Sequence, residues 1–278
     1  MSMVQANAAE WDRSYDSRAK GEEWSEPWGS STAQWYGSVY PRIQRFLPVG
    51  RILEIAPGYG RWTSFLLSHC DSYVGVDHST RCIDSCRKRF GGRSNASFHV
   101  NDGRSLPGVA NSSINFAFSF DSLVHVDAHI LASYLTELDR VLAPEGVAFI
   151  HHSNLGSYSR LAQLTDPLGL ERLPAKFRLK LDHIGILNNV GSRATDVTAA
   201  SFVELCEATS LHCVAQEVVN WGGGVLLTDA ISVVTRAGSR LDRPNRVVRN
   251  RLFGAEARAV RRSDTAYDPL PRPASSPA

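Results

Sequence analysis

The sequence predicts an α/β fold in which a mostly parallel sheet of seven strands is covered by helices on both faces. Short apolar runs alternate with amphipathic helical segments along residues 49–236. This alternation is typical of parallel strands joined by helical crossovers, and the nearly continuous apolar runs indicate strands that are buried on both faces. A Gly-x-Gly turn at Gly58 and Gly60, directly after the first run, indicates a nucleotide-binding turn.

The predicted strands and helices follow one another in a regular order. We predict strands over residues 51–55, 73–77, 97–100, 114–120, 147–150, 212–219 and 230–234. We predict helices over residues 34–47, 62–67, 82–90, 130–142 and 198–209, from apolar residues at helical spacing and from turn residues at their ends. No helix separates the last two strands, so we expect them to pair antiparallel.

Three regions flank or interrupt the central domain at 49–236. Residues 1–48 are rich in Trp and Tyr without a strand pattern, and we predict a helical lid segment there. Residues 156–196 combine several Pro and Gly with charges, which favours a lid or substrate-binding insertion after the fifth strand. Residues 237–278 contain nine Arg and a Pro-rich end, which predicts a basic and mostly disordered tail with one helix near 247–260.

The bulk composition excludes several classes of partner. The formal net charge of +2 is too small to favour nucleic acid or an anionic membrane. No apolar run approaches the roughly 20 residues that a membrane span requires, and residues 1–11 lack the apolar core of a secretory signal. We therefore expect a cytoplasmic protein with a small-molecule partner.

The residues at the strand ends distinguish between nucleotide ligands. A dinucleotide fingerprint requires a third glycine, and Thr63 occupies that position. Glu54 precedes the glycines, where an acid suits a ligand with an ammonium group. Asp77 ends the second strand, where a carboxylate accepts both ribose hydroxyls, and the segment 101–103, Asn-Asp-Gly, follows the third strand within reach of an adenine amine.

Four segments resemble the motifs of class I methyltransferases, which have a Rossmann-like fold. Residues 53–63, Leu-Glu-Ile-Ala-Pro-Gly-Tyr-Gly-Arg-Trp-Thr, are similar to the first motif, and 75–77, 101–103 and 118–125 fall where the later motifs belong. The resemblance covers residues 45 to 235 and implies a seven-stranded sheet with the last strand antiparallel. It implies S-adenosylmethionine as the cofactor, with the following cofactor-binding residues: Glu54, Ala56, Gly58, Gly60, Asp77, Asp102, Gly103 and Asp121.

Histidines at the strand ends are the candidate catalytic residues. An alcohol acceptor needs a general base close to the methyl group, and His is the commonest base. His125 follows the fourth strand, and His151 and His152 end the fifth. Strand alternation sends His151 and His152 to opposite faces, so we expect one of them to meet the methyl group. The spacing alone does not choose between them.

Several segments are also similar to a bacterial group of glycan O-methyltransferases. The segments are 54–63, 101–103, 118–125, 149–154 (Phe-Ile-His-His-Ser-Asn) and 216–221. Membership would imply a sugar hydroxyl as acceptor, in particular the 1-hydroxyl of a methylated mannoside in mycobacterial polysaccharide synthesis, and a Mg²⁺ ion that lowers the pKa of the acceptor. Asp121 and Glu217 are the candidate metal ligands.

The candidate acceptor-binding residues are Trp28, Asn154, Arg193, Glu217 and Trp221. Aromatic rings stack on sugars, although rings in a lid are more often packing residues. Residues 121–124, Asp-Ser-Leu-Val, replace the Asn/Asp-Pro-Pro-aromatic sequence of adenine and amide methylases, which disfavours those acceptors. Three alternatives remain: methylation of a small natural product, a cofactor-binding regulator without chemistry, and a dehydrogenase, which the missing third glycine opposes. A homodimer is compatible with the sequence.

Overall fold

A single eight-stranded sheet forms the centre of the protein in a computed structural model that describes residues 21–158, 193–221 and 223–267. The strands are β1 (Val49–Ile55), β2 (Cys70–Asp77), β3 (Ala96–Val100), β4 (Ile114–Ser119), β5 (Leu142–Ser153), β6 (Leu211–Val219), β7 (Asp229–Arg236) and β8 (Arg246–Asn250). Their order in space is β3-β2-β1-β4-β5-β7-β6-β8. From β1 the chain adds β2 and β3 on one side and β4 and β5 on the other, so the strand order switches between the parallel strands β1 and β4. Ligands of open α/β sheets bind at the carboxyl ends of the strands at such a switch point.

The pairing confirms the predicted α/β fold with a mostly parallel sheet. β1 pairs parallel with β2 and β4, β2 with β3, and β4 with β5. β7 runs antiparallel to both β5 and β6, as the missing helix between the last two predicted strands indicated. The sheet has eight strands instead of seven because β8 pairs parallel with the outer edge of β6.

Helices cover both faces of the sheet. They are α1 (Ser31–Gln34), α2 (Tyr40–Ile43), α3 (Thr63–Leu66), α4 (Thr80–Phe90), α5 (Ala128–Val141), α6 (Ala199–Glu207) and α7 (Phe253–Tyr267). The side chains of Ser79, Asp127 and Thr198 each accept the backbone N–H three residues later, which fixes the first turns of α4, α5 and α6. These three helices begin within three residues of the predicted positions.

The N-terminal segment lies over one face of the sheet as a series of short helical turns. A 3₁₀ turn at Glu22–Trp28 is followed by α1, a π-helical turn at Trp35–Val39, α2 and a 3₁₀ turn at Gln44–Phe46. The regular helix predicted over 34–47 is thus replaced by turns of three kinds. The rings of Trp28 and Trp35 are fully buried among the aromatic side chains of the sheet. The segment is therefore held on the sheet by the packing of these large rings.

Alternation along the strands divides the core into an aromatic and an aliphatic face. Phe118 and Phe149 point to the aromatic face, which the N-terminal segment covers. Ile150 belongs to the aliphatic face, where it packs with Phe202 of α6. His151 and His152 therefore face opposite ways, His151 towards the aromatic face and His152 towards α6.

The region after residue 236 differs from the predicted tail. Residues 237–267 are not disordered, because β8 extends the sheet and α7 packs on the aromatic face. Phe253, Ala257 and Val260 recur at helical spacing and bury one side of α7. A Cβ at Gly37 would lie 2.6 Å from Val260 Cγ2, so only glycine allows α7 to approach the N-terminal segment this closely. The many arginines, which suggested a solvated tail, cover the other side.

Parts of the predicted flanking regions lie outside the described residues. These parts are residues 1–20 of the N-terminal segment, 159–192 of the predicted insertion and 268–278 of the tail. Among the helices that are described, none combines the length and the apolar character needed to cross a membrane.

Candidate active site

The turn after β1 follows a backbone path that few side chains permit. Ala56, Gly58 and Gly60 all have positive φ angles of 58°, 55° and 83°, a conformation that is uncommon for any residue other than glycine. A Cβ at Gly60 would lie 2.5 Å from a ring carbon of Phe90 on α4. The Ala56 N–H donates to the carbonyl of Val76 at 2.7 Å. The turn thus lies close to the sheet and to α4, with few side chains at its surface.

Carboxylates stand at the ends of the next two strands. Asp77 is buried and accepts the N–H groups of Gly58 at 3.0 Å and Ser79 at 2.9 Å. Burial raises the pKa of Asp77, and these N–H donors act in the opposite direction. Asp102 is exposed at the end of β3, next to Gly103 with φ 79°. Asp77 therefore shapes the glycine turn from below, whereas Asp102 faces solvent beside it.

Glu54 lies beneath the glycine turn with only 1% of its surface exposed. Its Oε2 atom accepts the hydroxyl of Tyr73 at 2.5 Å and the hydroxyl of Thr63 at 2.7 Å. Burial raises the pKa of Glu54 to about 7, although both hydroxyls and the charge of Arg61 favour the ionised form. Thr63, where a dinucleotide fingerprint has glycine, therefore serves as a partner of this carboxyl group.

Asp121 follows β4 with an unusual backbone and a buried cationic partner. Its φ angle is 63°, and its Oδ2 accepts an N–H of Arg61 at 2.9 Å. Arg61 is 6% exposed and stacks over the ring of Trp62, with its guanidinium carbon 4.5 Å from the ring centre. The Ser122 hydroxyl donates to the carbonyl of Ala56 at 3.2 Å, so the Asp121 loop adjoins the glycine turn.

His151 connects this loop to β7. Its imidazole is fully buried, and Nδ1 accepts the N–H of Asp121 at 3.1 Å. A backbone N–H can only donate, so Nδ1 carries the lone pair and Nε2 carries the proton. Nε2 donates to Oδ2 of Asp229 at 3.0 Å. The two partners therefore fix the imidazole in one tautomer and one orientation.

Asp229 joins His151 to Arg193. Arg193 binds the carboxylate in a bidentate manner, with Nε at 2.6 Å from Oδ1 and Nη2 at 2.8 Å from Oδ2. Burial alone would raise the pKa of Asp229, but the charge of Arg193 and the hydrogen bond from His151 outweigh burial and hold the pKa far below its ordinary value. Asp229 is therefore a fixed negative charge next to the imidazole.

The other two candidate histidines lie in different surroundings. His152 stacks on Phe202 with ring centres 4.0 Å apart, and its nitrogens lie 2.8 Å from the Ser232 hydroxyl and 2.8 Å from the Ser153 carbonyl. Burial lowers the pKa of His152 to about 3. His125 is half-buried at the end of a 3₁₀ turn after β4. Of the adjacent pair, only His151 lies on the face that carries Asp121 and the glycine turn.

Aromatic rings enclose the imidazole of His151. The ring centre of Trp221 lies 4.7 Å from it and that of Phe120 lies 4.8 Å from it. Trp28 packs on Trp221 at 5.2 Å, and the Arg193 guanidinium carbon lies 5.9 Å from the Trp221 ring centre. Trp28, Arg193 and Trp221, which the sequence suggested as acceptor-binding residues, are therefore neighbours on one side of His151.

Asn154 and Glu217 serve other contacts. The Asn154 side chain donates to the Leu227 carbonyl at 2.6 Å and accepts the N–H of Ala199 at 2.7 Å, which ties β5 to α6. Arg42 binds Glu217 through Nε at 2.6 Å and Nη2 at 2.8 Å, and it also binds Glu256 of α7. The pairing of Glu217 with Arg42 therefore links β6 to the N-terminal segment and to α7.

The proposed magnesium ligands do not come together in the described part of the chain. Asp121 pairs with Arg61 and Glu217 pairs with Arg42, so a guanidinium holds each carboxylate. Within residues 21–158, 193–221 and 223–267, no group of three or more His, Cys, Asp or Glu side chains is placed to hold a metal ion. These two carboxylates therefore do not fit a Mg²⁺ site.

The sequence missed three residues of this array. Arg61 lies inside the glycine motif, which indicated a role for the glycines and not for the arginine between them and the helix. Its partner, Asp121, is sixty residues away along the chain. Asp229 precedes a strand without any motif, and Phe120 looked like part of an apolar strand. An acidic residue directly before the predicted strand 230–234 was the one available signal for Asp229, which pairs with Ser153 at the end of β5.

Comparisons with known proteins concern the fold and the region around the glycine turn. Residues 52–146 match a family model described as a methyltransferase domain. A SAM-dependent methyltransferase from Aquifex aeolicus has a similar structure, with a TM-score of 0.52, 11% identity, and coverage of 80% of this chain and 100% of that chain. The complex of the Haloferax volcanii Trm112 methyltransferase activator with its proposed methyltransferase partner gives a TM-score of 0.51, 15% identity, and coverage of 79% and 96%. No curated protein matches the chain at a significant level.

At these identities the structural likeness concerns the fold alone. The strand order, the single antiparallel strand β7 and the glycine turn after β1 are those of the class I methyltransferase fold. The matched residues 52–146 begin within β1 and contain the glycine turn and Asp77, Asp102 and Asp121. The chain therefore has the Rossmann-like fold of class I methyltransferases, and its residues 52–146 are similar to a methyltransferase domain.

Proposed function

We propose that this protein transfers a methyl group from S-adenosylmethionine to a sugar hydroxyl, with His151 as the general base. The observation that carries the proposal is the buried array of His151, Asp229 and Arg193 beside the glycine turn. The specific acceptor that we propose is the 1-hydroxyl of a methylated mannoside. That choice is supported by the resemblance of the segments quoted above to glycan O-methyltransferases.

The residues of the glycine turn and the strand ends fit the proposed cofactor. The positive φ angles of Gly58 and Gly60 keep the backbone close to the sheet, where a nucleoside approaches. In our proposal Asp77 binds the ribose hydroxyls, Asp102 lies at the adenine, and the carboxyl group of Glu54 faces the ammonium group. The cofactor supplies a methyl group that its sulfonium centre activates for displacement. The protein must position the acceptor and remove the proton of its hydroxyl group.

The tautomer of His151 suits the removal of a hydroxyl proton. Its Nδ1 lone pair is directed towards the Asp121 loop, which adjoins the glycine turn. In our proposal the acceptor hydroxyl takes the place of the Asp121 N–H, and its proton would pass to Nδ1 of His151. The oxygen would take the methyl group as the methyl–sulfur bond breaks, with S-adenosylhomocysteine as the leaving group. The Nε2 proton stays with Asp229, whose charge stabilises the resulting imidazolium. Arg193 keeps Asp229 ionised and fixed.

The strained backbone of Asp121 is part of this proposal. A non-glycine residue with φ 63° costs of the order of 1–3 kcal/mol and persists only where its surroundings hold it. The N–H bond to His151 and the carboxylate bond to Arg61 provide that support. Replacement of the N–H by an acceptor hydroxyl would let the loop relax at the moment when the base is needed.

Methyl transfer from radiolabelled S-adenosylmethionine to a panel of neutral sugars, including methylated mannosides, tests the proposal. We expect His151→Asn to lower the rate at least ~10²-fold, the scale of a general base, with unchanged affinity for S-adenosylhomocysteine. His152→Asn, on the same strand and the opposite face, is the matched control and should keep the rate within a few-fold among folded molecules. A normal rate in the His151 variant would contradict the base assignment.

The same assay separates the alternative functions. Transfer to small hydroxylated natural products but to none of the sugars would replace the acceptor class and keep the base. Binding of S-adenosylhomocysteine without transfer to any acceptor would favour a cofactor-binding regulator. Because Asp121 and Glu217 are bound by arginines, our proposal includes no metal ligand from these two residues. Loss of activity in EDTA that Mg²⁺ restores would show that other groups hold an ion.

A further inference from the structure

Buried hydrogen-bonding groups without partners among the described residues lie in the N-terminal segment and on the aromatic face that it covers. They are the indole N–H groups of Trp28 and Trp62 and both polar atoms of the Gln34 carboxamide, none of which has a hydrogen-bond partner among the described residues. The exposed fractions are 1% for Trp28, 3% for Trp62 and 0% for Gln34. We call these three residues the unpaired polar set. A buried unpaired polar group costs about 1–3 kcal/mol, so a set of them indicates a bound partner.

The two indoles of the unpaired polar set flank the proposed base. Trp62 is 5.8 Å from Phe120, whose ring is 4.8 Å from His151. Trp28 is 5.2 Å from Trp221, whose ring is 4.7 Å from His151. Each indole is therefore separated from the imidazole by a single aromatic ring, and the two reach it through different rings.

Gln34 belongs to the segment that covers these rings. It ends α1 and is followed directly by Trp35, whose ring lies 6.0 Å from Trp62. The indole N–H of Trp35 is also without a partner. Its ring stacks on Phe65 and lies 6.4 Å from His69 and 6.5 Å from Phe118, whereas Trp28 and Trp62 each contact a ring that touches His151. We therefore leave Trp35 out of the set.

The charges near the unpaired polar set indicate a neutral ligand. Arg61 is neutralised by Asp121 at 2.9 Å and Arg193 by Asp229 at 2.6 Å. An anionic ligand would have to compete with these carboxylates for the guanidinium groups. The set itself offers two indole donors and one carboxamide, which both donates and accepts. That combination matches hydroxyl and ether oxygens on an apolar ring system.

We infer that Trp28, Trp62 and Gln34 form the subsite that holds a neutral polyhydroxylated acceptor, in which the indoles donate to its oxygen atoms and the carboxamide binds a hydroxyl. The inference rests on the proposed function and extends it, because Gln34 and Trp62 gave no signal in the sequence. Because the set is buried, the subsite should select ligands whose hydroxyl groups match its donors and acceptors. A ligand without the matching hydroxyls leaves the buried groups unpaired, a situation that enzymes use to reject analogues by ~10⁴-fold.

The indole N–H signals in a ¹H–¹⁵N correlation spectrum test the subsite directly. The six Trp signals are assigned by single Trp→Phe variants. The full-length protein is then titrated with S-adenosylhomocysteine, and afterwards with 3-O-methyl-D-mannose, a methylated sugar whose 1-hydroxyl is free. We expect the sugar step to shift the signals of Trp28 and Trp62 and to leave that of Trp24, which is 40% exposed, unchanged. Movement of both signals at the cofactor step alone, or at neither step, would overturn the acceptor subsite.

Kinetics provide the second test. Gln34→Ala should raise the KM for the sugar about 10-fold, the loss of one hydrogen bond to a buried group, with little change in kcat or in S-adenosylhomocysteine affinity. The matched control is Gln44→Ala, an exposed glutamine of the same segment, which should leave all three values unchanged. An unchanged KM in the Gln34 variant contradicts the subsite. A protein whose spectrum does not respond to S-adenosylhomocysteine contradicts the proposed function instead.

Discussion

Replacement of Glu54 by glutamine should remove a large pH dependence of stability. Burial raises the pKa of Glu54 from 4.5 to about 7. A carboxyl group whose pKa is raised by folding stabilises the folded state most at low pH, and this contribution is lost as the pH rises through the folded pKa. With 1.36 kcal/mol for each pKa unit, the wild-type protein loses about 2.5 kcal/mol from this group between pH 5 and pH 8. The Glu54→Gln variant has no carboxyl group at this position, so it should lose none of this stability between pH 5 and pH 8.

Urea denaturation at pH 5, 6, 7 and 8 measures the effect as the difference between wild type and variant in the free energy of unfolding. The variant should gain about 2.5 kcal/mol relative to wild type across this range. Glu207→Gln, at an exposed position of α6, is the control. Its free energy of unfolding should change with pH in the same way as that of the wild type. If the free energy of unfolding of the Glu54 variant also changes with pH as that of the wild type does, then Glu54 is ionised in the folded protein and the reasoning from burial is refuted.

Four further outcomes follow from the same contacts. The affinity for S-adenosylhomocysteine should rise as the pH passes about 7, because an ammonium group favours the ionised carboxylate, and calorimetry should show no such rise in Glu54→Gln. Asp229→Asn should destabilise the fold by about 3–5 kcal/mol, since it leaves Arg193 buried without its counter-charge, whereas the exposed Asp84→Asn should change the urea midpoint little. Arg42→Met should cost about 2 kcal/mol or more in the same assay, since two carboxylates lose their partner. Asp77→Ala should weaken S-adenosylhomocysteine binding about 10-fold or more in calorimetry, and an unchanged affinity would remove its proposed role.

The fold was predictable from the sequence because its central strands are short apolar runs between recognisable turns. β8 and the packing of α7 on the sheet were missed for a physical reason, although a helix near 247–260 was predicted and α7 overlaps it. In residues 237–267 the arginines dominate the composition, while burial depends on a few positions such as Phe253 and Val260. The close approach of α7 to the N-terminal segment depends on Gly37, whose partner is more than 200 residues away along the chain. Composition contains no information about such a contact.

The candidate site was predictable in its residue types and only partly in its partners. Strand alternation indicated that one of His151 and His152 would face the site, and the hydrogen bond from the Asp121 N–H shows that His151 is on the face of Asp121. The partners that define each side chain's chemistry come from distant segments, as Asp229 does for His151 and Arg42 does for Glu217. Short-range patterns cannot identify these pairs, because the pairs exist only once the sheet has formed.

Calorimetric titration of the purified protein with S-adenosylhomocysteine, run beside NAD, tests the central claim most directly. The account predicts saturable binding of S-adenosylhomocysteine at a one-to-one ratio and no heat from NAD, because Thr63 stands where the dinucleotide fingerprint requires glycine. Binding of NAD without binding of S-adenosylhomocysteine would contradict the account. It would leave the sheet as described and remove every role proposed here for Asp77, Asp102 and His151.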